Sequence, residues 1–371
     1  MDEHFIGLMS GTSMDGVDGV LASFDGPIQV LAHCHQPFDD DLRGELLALN
    51  SPGPSELHRA ALAANAIARA YAAVTFELLQ LAQLNPTLIT AIGAHGQTVR
   101  HQPGVVDGVG YTTQLLNGSL LAELGGIDVI CDLRSRDLAA GGQGAPLVPA
   151  FHRALFGRPD KSVAVLNVGG ISNISLLASD GSTSGFDTGP GNCLMDLWAL
   201  RHLGRAYDAG GAWAATGQVL PELLAALLTE PFFASPPPRS TGRDLFNAAW
   251  LDAHLAHHAT GASPQDVQAT LLELSAACVS QALQAYASEA TELLVCGGGV
   301  FNSALMDRLE ARLPKLQVLS TDQRGLPAMQ VEAAAFAWLA RQFTLRAPGN
   351  LPQVTGAAGP RVLGALYPAG Q

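Results

Sequence analysis

A strand–turn–strand device occurs twice in this chain, at residues 5–24 and again at 164–177. A chain that builds it twice is constrained towards two related halves. In each copy, runs of apolar and β-branched residues read as strands, and glycine, serine, threonine and asparagine bound them. The first turn holds Gly11, Thr12, Ser13, Asp15 and Gly16. Glycines let backbone N–H groups approach an anion, hydroxyls add donors, and a carboxylate such as Asp15 or Asp18 can hold Mg²⁺ directly or through water. An ordinary hairpin turn is the competing reading. The second copy, with Gly169, Gly170, Ser172 and Asn173, weighs against it. A third glycine cluster, Gly297, Gly298 and Gly299, follows the apolar run 293–296 and precedes Asn302, which opens a helix. Two phosphate-type hairpins and a strand–glycine–helix junction point to two lobes closing on a nucleotide.

The length of 371 residues predicts two domains, and 48% hydrophobic against 14% charged residues supplies material for their cores. A net charge of −13 argues against nucleic-acid binding, which needs a basic face. The N-terminal segment lacks the basic and apolar regions of a signal peptide, and no apolar stretch reads as a membrane span. The five cysteines, Cys34, Cys131, Cys193, Cys278 and Cys296, are far apart, with no CxxC pair. They read as buried free thiols of a protein in a reducing compartment, the cytoplasm.

The first lobe begins with a meander of strands near 4–9, 17–24 and 28–34. A helix over 56–83 follows, with Ser55 as its cap, and a strand over 88–94 delivers the HGQT motif at 95–98. A strand at 127–131 leads to Arg134 and Asp137. The lobe boundary falls before the glycine-rich loop 141–146, which gives lobes of 1–137 and 138–344, with the tail 345–371 packing back on the first. The second lobe repeats the order, with strands near 162–168, 171–178 and 183–187. A helix opens at Ser263-Pro264, strands lie near 292–296 and 316–320, and helices lie near 302–313 and 330–343. This alternation indicates α/β layers.

Asp187 stands at a strand end before a glycine-rich turn. Such a carboxylate takes the proton of an attacking hydroxyl or water, or it caps the next helix. Arg134 and Asp137 follow a strand end, where they hold a sugar acid or phosphate or form a local ion pair. Glu332, a single acid in an apolar helix, faces solvent or points into a site. With Asp187 it would make the carboxylate pair of a water-mediated glycosidic cleavage. No histidine spacing has metal-ligand meaning, so no zinc is expected, and the Walker A lysine is missing.

Seven motifs in order resemble the anhydro-N-acetylmuramic acid kinase family: MSGTSMDGVD at 9–18, HGQT at 95–98, AAGGQGAP at 139–146, NVGGISN at 167–173, GFDTGPGN at 185–192, STGR at 240–243 and CGGG at 296–299, and the match runs on to the PGNLPQVTG tail at 348–356. The resemblance covers essentially the whole chain. It implies an α/β, two-lobed fold of the actin, hexokinase and Hsp70 type (ribonuclease H-like) with ATP and Mg²⁺ in a central cleft. The activity it implies is opening of the 1,6-anhydro ring of 1,6-anhydro-N-acetylmuramic acid by water with phosphorylation of O6 from ATP, in cell-wall recycling. An ordinary sugar kinase acting on a free hydroxyl and a nucleotide-gated binding module of the same fold are the alternatives. By motif, the resemblance makes Asp187 the base, with Glu332 assisting near the anomeric carbon. It gives the ATP phosphates to Gly11, Thr12, Ser13, Met14, Asp15, Gly16, Val17 and Asp18, and to a second loop of Gly169, Gly170 and Asn173. Gly297, Gly298 and Gly299 would line the adenosine, and His95, Gln97, Arg134 and Asp137 would hold the sugar. Members of the broader superfamily often place Asp straight after the first strand. Here Met9 and Ser10 stand there, so Asp15 and Asp18 are both open as the Mg²⁺ partner. A small amino sugar is the expected partner, a homodimer is a family expectation, and no membrane or nucleic-acid partner is expected.

Overall fold

The computed structural model describes residues 3–11, 14–104 and 107–370. The chain divides into two compact units, Met1–Phe151 with Gln330–Gln371, and His152–Met329. The division therefore runs at 151/152 and 329/330, not at 137/138 and 344/345, and the helix Val331–Thr344 belongs to the first unit.

The first unit contains β1 (His4–Met9), β2 (Gly16–Ser23), β3 (Gln29–Pro37), β4 (Ala91–Ala94), β5 (Gln97–Pro103), β6 (Gly110–Leu115) and β7 (Val129–Cys131). The second contains β8 (Ser162–Val168), β9 (Ile171–Leu177), β10 (Thr183–Pro190), β11 (Ala290–Cys296) and β12 (Gln317–Ser320). A last strand, β13 (Ala365–Tyr367), pairs antiparallel with β7 and extends the first unit's sheet to the order β13-β7-β4-β1-β2-β3. The second sheet is ordered β10-β9-β8-β11-β12. In both, the three meander strands are antiparallel and the next two join in parallel. The two sheets thus share one α/β topology, the ribonuclease H-like order that the doubled hairpin anticipates; β5 and β6 form a separate ribbon.

Strand alternation assigns the two faces of the first sheet. Leu8 and Gly19 face the helix Glu56–Ala82, where a Cβ on Gly19 would meet Val74 and Leu78. Gly7 faces the other way, and a Cβ there, or on Gly93, would run into the backbone of the helix Val331–Thr344. These two glycines let that helix lie against β1 and β4. Gly93→Ala should therefore cost about 1–3 kcal/mol through forced separation. Gly26→Ala, where nothing lies within 4 Å, should stay within about 0.5 kcal/mol of the parent, both variants being measured by urea unfolding.

By length and composition the helix Glu56–Ala82 is long and apolar enough to cross a membrane, against the expectation that no apolar stretch reads as a span. Its Ile67, Tyr71, Val74 and Leu78 are fully buried in the first unit's core. Ser55 does not cap it: the residue is left-handed (φ 53°) and its side chain makes no cap bond, so the helix begins without one. The Ser263 and Asn302 caps do form, on Asp266 N and Leu305 N. All five cysteines are buried and none is in a disulfide.

Candidate functional site

The first unit gathers a polar cluster at the ends of β1 and β4. Ser10, leaving β1, is buried; its hydroxyl pairs with Tyr71 Oη (3.0 Å) and donates to Gly96 O (3.1 Å). His95, leaving β4, has its Nδ1 3.2 Å from Ser10 O, while its Nε2 receives Arg134 Nη2 at 2.9 Å and Nε at 3.1 Å. An arginine donates only, so Nε2 accepts and Nδ1 carries the hydrogen. Burial and the Arg134 charge push the His95 pKa down to about 3, which keeps the ring neutral. Arg134 also donates to Gly144 O (2.8 Å); burial lowers its pKa to about 10 against the pull of Glu332 and Asp137.

Glu332, in the first turn of its helix, is half-buried and receives no hydrogen bond among the described residues. Burial foremost, then the Asp18 charge, raises its pKa, and Arg134 opposes them. Asp18 sits on β2 opposite Met9 and His35, and its Oδ1 lies 3.0 Å from His35 Nδ1. Asp18, Glu332 and Arg134 therefore form one electrostatic group.

Three residues expected to touch a sugar are buried and make hydrogen bonds within the protein. Asp137 is fully buried: Oδ1 accepts from Asn350 Nδ2 (2.6 Å) and Thr355 Oγ1 (2.8 Å), and Oδ2 accepts from Gly144 N (2.8 Å). It ties the tail to the glycine loop and has no surface to offer a ligand. Gln97 is likewise fully buried, with Nε2 donating to Gly11 O (3.0 Å), and both His95 nitrogens are engaged within the protein. Of the phosphate residues, Met14 and Val17 bury their side chains in the core, Gly16 backs onto β3, Asp15 is exposed, and Thr12 and Ser13 lie outside the described residues.

In the second unit, a polar row crosses three strands as direct partners: Asn167 on β8, Asn173 on β9 and Asp187 on β10. The register shifts between Asp187 and Gly189, a bulge of the kind that re-aims side chains. Asp187 Oδ2 accepts from Ser240 Oγ (3.0 Å) and Thr241 N (2.9 Å). Burial raises its pKa above 3.8, while those two bonds and Arg239 pull the other way. The Gly169–Gly170 turn is tied by its carbonyls to the backbone N–H groups of Asn192 (2.8 Å), Gly191 (2.9 Å) and Cys193 (3.1 Å). A Cβ on Gly170 would lie 3.2 Å from Arg243 Nη2, so a guanidinium stands beside that turn.

A cavity of about 470 Å³ in the same unit is lined by Asn192, Asp196, Tyr207, Gly210, Gly298, Phe301, Asn302 and Met329. Phe301 and Met329 are exposed apolar surfaces, and Asn and Asp supply polar groups, a mix that suits a purine nucleoside. Burial raises the Asp196 pKa to about 6, offset in part by Arg243. Of the three clustered glycines only Gly298 lines this cavity. Gly297 packs on Asn167 Oδ1 and Gly299 on Val168. Asn167, Asn192, Ser240 and Arg243 stand inside quoted motifs, yet nothing in their spacing singled them out.

Among the described residues no three His, Cys, Asp or Glu side chains form a metal cage. Asp18, a third exposed, offers a carboxylate of the kind that joins phosphates and water around Mg²⁺.

Residues 3–369 match the family model described as anhydro-N-acetylmuramic acid kinase. Curated proteins of that name are similar along their length. The one from Variovorax paradoxus is 61% identical over 373 residues, covering 99% of each chain. That from Albidiferax ferrireducens is 57% identical over 390 residues, covering 100% of each, and that from Bordetella petrii is 58% identical, covering 98% and 96%. Among solved structures, the activator of 2-hydroxyisocaproyl-CoA dehydratase from Clostridium difficile is 13% identical with a TM-score of 0.44, covering 92% of this chain and 97% of its own. A ROK family glucokinase from Streptomyces griseus is 14% identical with a TM-score of 0.41, covering 91% and 99%. Both likenesses are too distant to bear on function.

Proposed function

This chain belongs to the anhydro-N-acetylmuramic acid kinase family, and we propose on that premise that it opens 1,6-anhydro-N-acetylmuramic acid with water and phosphorylates O6 from ATP. The product is N-acetylmuramate 6-phosphate, returned to metabolism in cell-wall recycling. The observation that carries the reading is Asp187: a carboxylate at the β10 bulge, its pKa raised by burial, with Oδ2 held by two donors and Oδ1 receiving no hydrogen bond among the described residues.

The anhydro sugar has no free O6, so phosphoryl transfer must be joined to bond cleavage. Asp187 takes a proton from water as the water oxygen bonds to C1. The C1–O6 bond breaks with its electron pair on O6, O6 bonds to the γ-phosphorus, and the bond to ADP breaks. Charge developing on O6 is thereby taken up by phosphorus, and the protein supplies positioning and electrostatics. Glu332 assists at the anomeric carbon, with Arg134 holding its charge in place and offering its remaining N–H groups to the sugar acid. His95 and Gln97 act one step removed, by fixing Ser10, Gly11 and Arg134. The Gly169–Gly170 turn with Arg243 takes phosphate, and the cavity beside Gly298 takes the nucleoside. Asp18 is the favoured Mg²⁺ partner over Asp15 because of its place beside Glu332; the ion neutralises phosphate charge when bound. Five buried thiols suit a reducing compartment, and we place the protein in the cytoplasm.

ATP consumption with and without the anhydro sugar tests this reading. Turnover should depend on the sugar. ATP hydrolysis at the same rate without it would overturn the assignment.

A further inference from the structure

Ser240 and Thr241 have no part in the chemistry as written so far, yet with Arg239 they are built onto Asp187. Asp187 N donates to Arg239 O (3.1 Å), and Arg239 Nε donates back to Asp187 O (3.1 Å). The Arg239 side chain is itself anchored. Its Nη1 donates to Phe233 O and Ser235 O, each at 2.8 Å, and its guanidinium lies 5.2 Å from the Phe186 ring centre and 5.1 Å from that of Phe232. This fixes where the next two residues fall. Ser240 Oγ and Thr241 N both reach Oδ2 of Asp187, and Oδ1 receives no hydrogen bond among the described residues.

We propose that Arg239–Thr241 is a positioning strap for Asp187: it occupies Oδ2 and leaves Oδ1 as the oxygen that takes the proton from water. The strap does two things at once. Two donors on one oxygen fix the plane of the carboxylate, so the Oδ1 lone pairs have one direction. The same donors favour the charged form, which holds the base ionised against the burial that works the other way. Arg239 is the charged group that faces Asp187. On the sheet side its partner Asn173 is neutral, and Cys278 and Tyr286, from the helix Pro264–Tyr286, act on Arg239.

The inference rests on Asp187 as the base, but its test does not. In the ligand-free protein, ¹³C-carboxyl NMR follows the titration of Asp187, assigned against the Asp187→Asn spectrum. Ser240→Ala removes one donor from the ionised form and should raise the Asp187 midpoint by about 1 pH unit. Ser240→Thr, which keeps the hydroxyl, should return it to the parent value. A midpoint unmoved by Ser240→Ala overturns the strap. The acid limb of the kcat/KM profile, which reports the free enzyme, should move with the midpoint, a fall of up to about tenfold below the limb and little change well above it. A limb that stays while the midpoint moves would overturn the base assignment and leave the strap standing.

Discussion

Asp187→Asn lowers kcat by about 10²–10⁴-fold while nucleotide binding persists. The substitution conserves shape, so the strand and its bulge should survive. What changes is the sense of the hydrogen bonds. Ser240 Oγ and Thr241 N both donate to Oδ2, so an amide in this place turns its oxygen towards them. Its NH₂ then points where the proton of water must be accepted, and the base is lost. The cavity beside Gly298 is lined by other residues, so ATP affinity measured by calorimetry should stay within a few-fold of the parent. The parent's acid limb follows from the direction of the Asp187 shift. Burial raises the carboxyl above 3.8, the base must be ionised to act, and activity is lost as pH falls through that raised value. Near-parent kcat in the variant would remove Asp187 from the mechanism.

Asp137→Ala unfolds the first unit more readily, by about 3–5 kcal/mol in urea titration. Three donors, Asn350 Nδ2, Thr355 Oγ1 and Gly144 N, converge on this fully buried carboxylate. Truncation leaves all three without an acceptor in a place water does not reach. The tail would lose more than one anchor, because Gln143 N donates to Thr355 O (2.7 Å) and Ala358 N to Ala140 O (2.8 Å) in the same seam. Arg134 would feel this loss through the loop carrying Gly144 O, so kcat should fall even at temperatures where the variant stays folded. A cost under about 1 kcal/mol would show that the seam holds without its carboxylate.

The parts of this architecture that were legible in sequence are those with local signatures. Both hairpins could be read because alternating apolar residues and glycine turns are short-range signals, and both sheets follow the meander-then-parallel order they imply. The helix Val331–Thr344 was misallocated because its partners, Gly7 and Gly93, lie some 240–330 positions away in a chain of 371; only their lack of a side chain hints that a backbone rests there. Ser55 looked like a cap by type, but its φ of 53° sends the side chain elsewhere. His95, Gln97 and Asp137 stand in polar motifs at strand ends, where a ligand contact and a loop anchor leave the same residue types. Burial and partners separate the two, and neither is written in spacing. The Ser240–Thr241 strap is hidden for the same reason, since Asp187 meets it more than fifty residues along the chain.

The central claim is that one reaction opens the anhydro bridge and phosphorylates the oxygen it releases. It is tested most directly by running the reaction in ¹⁸O-water with ATP and the anhydro sugar, quenching early enough to outrun anomeric exchange, and locating the label by mass spectrometry. The account predicts one ¹⁸O on C1 of the 6-phosphorylated product and none in the phosphate. A phosphorylated product that keeps its anhydro bridge and carries no label would contradict it.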